Sequence, residues 1–600
     1  MKKRILNLFA VAAVALMGVS CEKFLTVEPI DKMSADTYFQ NELELELFAN
    51  GMIQSYLPTA DGLGYSDSWS DLFCSKTSSD YYRPGIWNAE KQGSWGVSNW
   101  RNIRRANIFL AGVDRAAGNV SEDVLNHYKG VARFWRAYFY YSKVQTFGDV
   151  PWIDHALDVE DEILYAKRDD REFVMAKVLE DLNFACTNLS GDSKYDGVIN
   201  KWVALAFKSR VGLYEGTFRK YHSVNPSTNA AWNNQNGTAN DFLQAAVDAA
   251  DELMKSGNFK LYDDYWGLFH NTNIASSKEA IWWSDYDGGE LNRMHELTWV
   301  VNSSTYDQQV SPTKLMVNHY LNLDGTPITH EGKVSINEEF EGRDLRLKAC
   351  VHHPGYMYTK TNGEQLLKST NTTYTYNFYQ NVKFSIEMEE NYSKGKNDND
   401  YPILRYGEVL LNYAEAKAEL NNGTLSKEDW DKTIGALRER AGVTNIYPDG
   451  GWDCGWLKAY YNNGEETLSN VLIEIRRERT VELLGEGLRE MDLYRWKLGK
   501  LIVDRQTNNQ GWLGIWVPAD QVAGMEFNSY KYTFTNTKPE AGFGYNVSGS
   551  TANQNHSFSH GDHGFLTYNY KLEWNDKMYV RPIPQGALNV NPELKQNYGW

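Results

Sequence analysis

Two stretches of the chain set aromatic rings among Gly, Pro, Asn and Asp instead of along a helical stripe. The first, "SSDYYRPGIWNAEKQGSWGVSNW", carries Tyr81, Tyr82, Trp87 and Trp95; the second, "EAIWWSDYDGGELNRMHELTWVVNSSTY", carries Trp283, Tyr286, Trp299 and Tyr306. An aromatic face suits the C–H face of a pyranose, whose hydroxyls then need Asn, Asp, Arg or backbone partners. Arg293, with Asp287 and Asn292 nearby, can supply them. Tyr82, Trp87, Trp95, Trp283, Tyr286, Arg293, Trp299 and Tyr306 are therefore the candidate glycan-binding residues. With 20 Trp and 38 Tyr, the chain has more amphipathic rings than a core alone demands.

Other chemistries leave no such mark. A glycoside hydrolase needs two carboxylates about 5 to 9.5 Å apart, and nothing among 78 acidic residues singles out a pair. HExxH, Walker, GxSxG and GxGxxG patterns are absent, so no catalytic residue is assigned. His556, His560 and His563, with Asp562, have chelating spacing but lie in a Gly/Asn/Ser-rich loop. "NDND" at 397–400 lacks the glycine and distal glutamate of a calcium loop. No metal and no cofactor are expected. Cys74, Cys186, Cys350 and Cys454 are widely spaced without a CxxC pair, which leaves free thiols and disulfides both open. A formal charge of −17 argues against a nucleic-acid partner.

Cys21 stands apart from these thiols. Lys2, Lys3 and Arg4 precede the apolar run Ile5 to Met17, and Gly18, Val19 and Ser20 lead into the cysteine, as in a cleaved signal peptide. Residues 1–20 are read as a lipoprotein signal, Cys21 as the lipidated residue, and 21–36 as anchor and tether. Several acyl chains would hold the protein durably on a membrane.

The elements that must position the aromatics are mainly helical. "SEDVLNHYKGVARFWRAYFYYSKVQTFG" runs from a Ser121 cap to the breaker Gly148, and its aromatics from Trp135 to Tyr141 are read as core and partner contacts. "NWRNIRRANIFLAGVDRA" puts Ile103, Ala106, Asn107 and Leu110 on one stripe, beside Trp100, which is read as core. Asp169 and Glu172 have capping-box spacing ahead of the next helix. In "NKWVALAFKSRVGLYEGTFRKY" the small Ala204, Ala206 and Gly212 allow close helix approach. Late helices include "SKEDWDKTIGALRERAG", opened by Ser426 and Asp429 and closed at Gly442, and "LSNVLIEIRRERTVELLGEGLREMDLYRW". In the latter, Glu478, Glu482 and Glu486 alternate with Arg479, Arg489 and Arg495, spaced to pair as a structural network. Helix pairs recur at about 34 residues, as in tetratricopeptide arrays. The domain at 37–600 thus has a helical scaffold at about 37–270 and 401–500, with loop-rich, ligand-binding insertions at about 271–400 and 505–575.

Taken in order, the cysteine followed by "EKFLTVEP", then "IRRANIFL", "ARFWRAYFYYSKVQTFGDVPWI", "ALAFKSRVGLYEG", "ILRYGEVLLNYAEAKAE", "IRRERTVELLGEGLREMDLYRW" and "PIPQGALNVNPELKQNYGW" resemble the SusD/RagB family of Bacteroidetes outer-membrane nutrient-binding lipoproteins, from Cys21 to Trp600. The resemblance implies a mainly α fold: a SusD-like α-α superhelix of four tetratricopeptide-like pairs with long insertions and little β structure. It also implies a non-catalytic, lipid-anchored cell-surface protein that captures oligo- or polysaccharide and hands it to a SusC-like TonB-dependent transporter in the outer membrane. It puts ligand contacts in the loop before "IRRANIFL" and a buried residue at Trp282. The alternatives are a peptide-binding RagB-type receptor and a surface hydrolase.

Overall fold

The computed structural model describes residues 38–600, apart from 76–77, 304–309, 329–332, 335, 369–374, 463–466, 505–513, 520–555, 561–562 and 569–571. Cys21, with the signal and tether, lies outside the described residues.

Helices α1 (Glu42–Tyr56), α2 (Val97–Val113), α3 (Glu122–Phe147), α4 (Arg171–Asn188), α5 (Lys201–Tyr221) and α6 (Ala239–Lys255) form the first part of the scaffold. Helix α1 lies on α3, and the others pack largely against their neighbours in sequence: α2 on α3, α3 on α4, α4 on α5 and α5 on α6. Such nearest-neighbour stacking is how a repeat array buries a continuous core. Helix α7 (Tyr406–Leu420) rests on α5 and α6 and carries α8 (Asn470–Glu482), while α9 (Arg489–Arg495) returns to α5.

Local signals set most of these boundaries. The Ser121 hydroxyl accepts from the Val124 amide at 3.3 Å, and α3 stops at Gly148, whose φ of 71° favours glycine. Thr238 and Asp241 close a capping box on α6. Ser426 accepts from the Asp429 amide at 3.0 Å, and the helix it opens passes through a π turn, Asp431–Gly435, before it ends near Gly442. The expected box at Asp169 and Glu172 does not form. Asp170 is the N-cap of α4, Asp169 accepts from the Trp152 amide at 2.8 Å, and Glu172 accepts from the amides of Asn233 and Asn234 at 3.0 and 2.8 Å. Both acids are engaged by chain that the spacing rule cannot see.

The stripe on α2 is as expected, with Ile103, Ala106 and Asn107 buried and Leu110 half-buried. On α5, a Cβ at Gly212 would stand 2.6 Å from the Phe242 carbonyl oxygen of α6, so the glycine permits the crossing.

The insertion between the helical halves is closed at its base by strands β1 (Ala280–Ser284) and β2 (Tyr401–Arg405). They pair antiparallel, Trp282 opposite Leu404 and Ser284 opposite Tyr401. Both strands are buried throughout. The other described strand pairs are short, such as Phe73–Cys74 with Ser311–Pro312. The insertion has its own apolar cluster around Phe269, Tyr320, Val351, Phe378 and Phe384. Cys74, Cys186, Cys350 and Cys454 are buried, and none of them is joined in a disulfide.

Helix α8 buries Glu474, Arg476, Arg477, Glu478, Arg479 and Glu482. The network is structural, as expected, but its partners differ from the expected neighbours along the helix. Glu478 takes Arg346 and Arg438, Glu482 takes Arg346, Arg405 and Arg440, and Glu486 takes Arg405 and Lys383. Arg489 pairs with Asp71, and Arg495 with Glu415 and Asp492. The charges tie the insertion and the N-terminal segment to the helical scaffold.

Candidate functional site

The first aromatic group sits between α2 and the C-terminal segment. A 3₁₀ turn, Asp80–Tyr82, is capped by Ser79 and points both tyrosines inward. The Tyr81 hydroxyl donates to the Met578 carbonyl at 2.8 Å. That of Tyr82 donates to Glu490 Oε1 at 2.5 Å, and its ring stacks on Trp574 with centroids 6.2 Å apart. Burial, with the Glu490 charge, raises the Tyr82 phenol well above its ordinary value, so it stays a neutral donor.

Beyond that turn the loop is more open. Trp87 is half-buried: its indole donates to Gln92 Oε1 at 3.1 Å, its edge meets Tyr81, and the Arg581 guanidinium lies 5.7 Å from its ring centroid. Exposed Asn88, Glu90 and Lys91 flank it, the Asn88 side chain accepting from both following amides. Trp95 is half-buried and wedged edge-on between Trp100 and Phe147, at centroid distances of 5.2 and 4.9 Å.

The second group clusters around β1. Trp282 is fully buried against Phe134, Trp135 and Tyr138, as expected of a core residue. Register shifts around Trp282 in the β1–β2 ladder accompany burial of the adjacent Trp283 as well. Trp283 packs with Ile274 and Ala280, and its indole donates to Asp285. The Tyr286 hydroxyl accepts from the Ala60 amide at 2.7 Å, and its ring lies under the Arg293 guanidinium at 4.8 Å. Arg293 is half-buried, held by reciprocal backbone bonds of 2.9 Å with Asp287. Trp299, on the short helix Leu297–Asn302, is half-buried with Lys394 Nζ 5.2 Å from its ring centroid. Tyr306 lies outside the described residues.

Tyr82, Trp283 and Tyr286, which the sequence reading sets in loops, are thus buried, and a sugar could stack on them only if that packing opened. Trp87, Trp95, Arg293 and Trp299 retain partial access. The two groups have different surroundings: Tyr82 and Trp87 belong with the C-terminal segment and α9, Tyr286 with the insertion's cluster.

Two carboxyls are raised to about 7 by burial, Asp67 and Asp400. Each accepts two backbone amides, from Gly487 and Arg489 and from Ile274 and Tyr286 respectively. They act as latches between distant segments. The rings of His560 and His563 stack at 5.2 Å against Trp516, whereas Asp562 lies outside the described residues. Among the described residues no group of three or more His, Cys, Asp or Glu could hold a metal ion, and no helix is long and apolar enough to cross a membrane.

The sequence reading also missed a cavity of about 170 Å³ between α3, α5 and the segment 486–495, lined by Tyr138, Tyr141, Gln145, Arg210 and Tyr214 among others. The signal for it was the i, i+3, i+7 placement of Tyr138, Tyr141 and Gln145, polar tips on a stripe read as core and partner contacts.

The chain is thus a stack of helices with a large insertion and two aromatic-rich segments that keep half-buried rings. The chain belongs to the SusD family, which matches residues 278–600; a second family, described as "Starch-binding associating with outer membrane", matches residues 23–213. Among curated relatives, SusD-like protein P25 of Formosa agariphila is 21% identical over 524 residues, 82% of this chain and 90% of that protein. SusD-like protein P2 of the same organism is 25% identical over 397 residues, 64% of this chain and 67% of that protein. Solved structures agree in fold. A SusD-like protein from Bacteroides fragilis has a TM-score of 0.65 at 20% identity, covering 96% of this chain and 100% of its own. A structure described as "with xylogluco-oligosaccharide" has a TM-score of 0.59 at 18% identity, covering 92% and 98%.

Proposed function

We propose that this chain is a non-catalytic, cell-surface glycan-binding lipoprotein that captures an oligo- or polysaccharide and passes it to a SusC-like TonB-dependent transporter. The observation that carries the reading is the family match over both halves of the chain, one of them described as starch-binding and outer-membrane associated. Half-open rings at Trp87, Trp95 and Trp299 supply faces for pyranose stacking, with Arg293 beside Tyr286 as a hydroxyl partner. Another B. fragilis relative in fold is described as a SusD-like carbohydrate binding protein. Cys21 would carry the acyl chains. A binding role also accords with Asp67 and Asp400, whose raised carboxyls are engaged by backbone amides.

Affinity electrophoresis of the full chain across a panel of polysaccharides tests this reading. Retardation by at least one, weakened about tenfold or more in Trp87→Ala/Trp95→Ala/Trp299→Ala, is expected. Binding of oligopeptides with no retardation by any glycan would replace it with a peptide receptor. Release of reducing ends from a retained glycan would overturn the non-catalytic part.

A further inference from the structure

Tyr138, Tyr141 and Gln145 lie along one face of α3 and open into the cavity described above, opposite Phe207, Arg210 and Tyr214 of α5. The walls are aromatic. Tyr141 stands edge-on to Tyr214 at 5.5 Å and to Phe207 at 5.6 Å, and Tyr138 lies 5.3 Å from Phe207. Leu63 and Met491 add apolar surface, and Ser142 is exposed at the mouth.

The polar atoms are unevenly provided for. The hydroxyls of Tyr138 and Tyr141 and the Gln145 side-chain amide make no hydrogen bond to any described residue, although Tyr141 is only 7% exposed. Neither hydroxyl oxygen is itself fully buried, so both can be reached from the cavity. Every charge on the lining, by contrast, is already matched. Arg210 forks onto Glu408 with two bonds of 2.6 Å, Arg479 and Arg495 hold Asp492 at 2.7 and 2.8 Å, and Glu486 is held by Arg405 and Lys383. The cavity therefore offers aromatic faces and uncommitted neutral donors and acceptors, without a free charge for an anion or a cation.

Size narrows the occupant. At roughly 10–15 Å³ per water-sized position, 170 Å³ corresponds to about a dozen heavy atoms, the scale of one sugar ring with its hydroxyls. We propose that this cavity is a second ligand site, separate from the loop aromatics, that takes one neutral pyranose or polyol unit with its ring face against Tyr141 and Phe207 and its hydroxyls on Tyr138, Tyr141 and Gln145.

Saturation-transfer NMR tests it, on the full chain carrying Trp87→Ala and Trp299→Ala to weaken the loops. The probes are glucose, galactose, mannose, xylose and sorbitol, with glucuronate as the charged control. Transfer to at least one neutral probe is expected. It should fall at least fivefold in Tyr138→Phe/Tyr141→Phe, which removes two oxygens and no packing volume, and disappear in Ser142→Trp, which plugs the mouth. Both changes, placed in the otherwise native chain, should leave retardation by polysaccharide unaltered, so failure of this site and failure of the surface reading are distinguishable. Absence of transfer to every neutral probe, transfer to glucuronate alone, or unchanged transfer in the double phenylalanine variant would overturn the proposal. Should Ser142→Trp fail to fold, the double variant alone decides.

Discussion

Arg405 and Glu482 meet inside the protein with Nη1 of the guanidinium 2.5 Å from Oε1 of the carboxylate, while Nη2 donates to the Glu482 carbonyl at 2.8 Å. Arg405 ends the strand that closes the insertion, and Glu482 ends α8. Burial alone would raise this carboxyl, but Arg440, Arg405 and Arg346 hold it well below the usual carboxylate range. One side chain thus ties three segments together.

Glu482→Gln should therefore cost about 3–5 kcal/mol, because it strands buried arginines without their counter-charge. The urea midpoint checks it. A change under about 1 kcal/mol would mean that the remaining acids, Glu279 and Glu486, suffice to hold Arg405 and Arg440.

Acid sensitivity should carry a histidine component. Burial pushes His222 and His319 down to about 3, whereas both would titrate near 6.5 in the unfolded chain. The unfolded state then binds more protons below that value, so stability is full above about pH 6.5 and falls as the pH drops toward 3. Each histidine contributes a slope of about 1.4 kcal/mol per pH unit. His222→Gln should flatten the decline between pH 6 and 4, read from thermal midpoints against pH, even where it lowers stability at pH 7.

Gly212→Ala should destabilise by about 1–3 kcal/mol through overpacking, since its methyl would meet the Phe242 carbonyl oxygen at 2.6 Å and the Ala246 amide nitrogen at 2.9 Å. Substitution at the exposed Gly586, where a Cβ meets nothing within 4 Å, is the control and should shift the urea midpoint by no more than a few tenths of a kcal/mol.

Packing and ligand contact should separate between two tryptophans. Trp282→Ala empties a fully buried site and should cost about 3–5 kcal/mol. Trp299→Ala removes a half-buried ring and a Lys394 contact worth about 0.5–1 kcal/mol, so its effect should appear mainly in glycan retardation. A Trp299→Ala protein that melts as early as Trp282→Ala would mark Trp299 as structural.

What was readable in the sequence was local. Ser121 and Gly148 bound α3, and the small Gly212 marks a helix crossing, because caps and steric gaps act within a few residues or on one face. Asp169 and Glu172 mislead for the complementary reason: their spacing fits a cap, but Trp152, Asn233 and Asn234 claim them. The acids of α8 were recognisable as ion-pair formers, yet Arg346, Arg405 and Arg440 come from distant chain. Trp283 and Tyr286 read as loop residues since "EAIWWSDYDGG" runs from a strand buried on both faces straight into turn residues, and no periodicity separates the two. The tyrosine stripe of α3 looked like core because composition does not say which hydroxyls find partners.

Tyr82 anchors the start of the Trp87 loop to Glu490 of α9 and stacks on Trp574 of the C-terminal segment, and Gln585 donates to the Ala89 carbonyl at 2.9 Å further along. On the proposed reading, a glycan arriving on Trp87 would therefore meet a platform whose backbone is already fixed at both ends. Little chain has to lose its freedom when the complex forms. Affinity at this proposed surface would then depend on how closely the guest matches a preset shape.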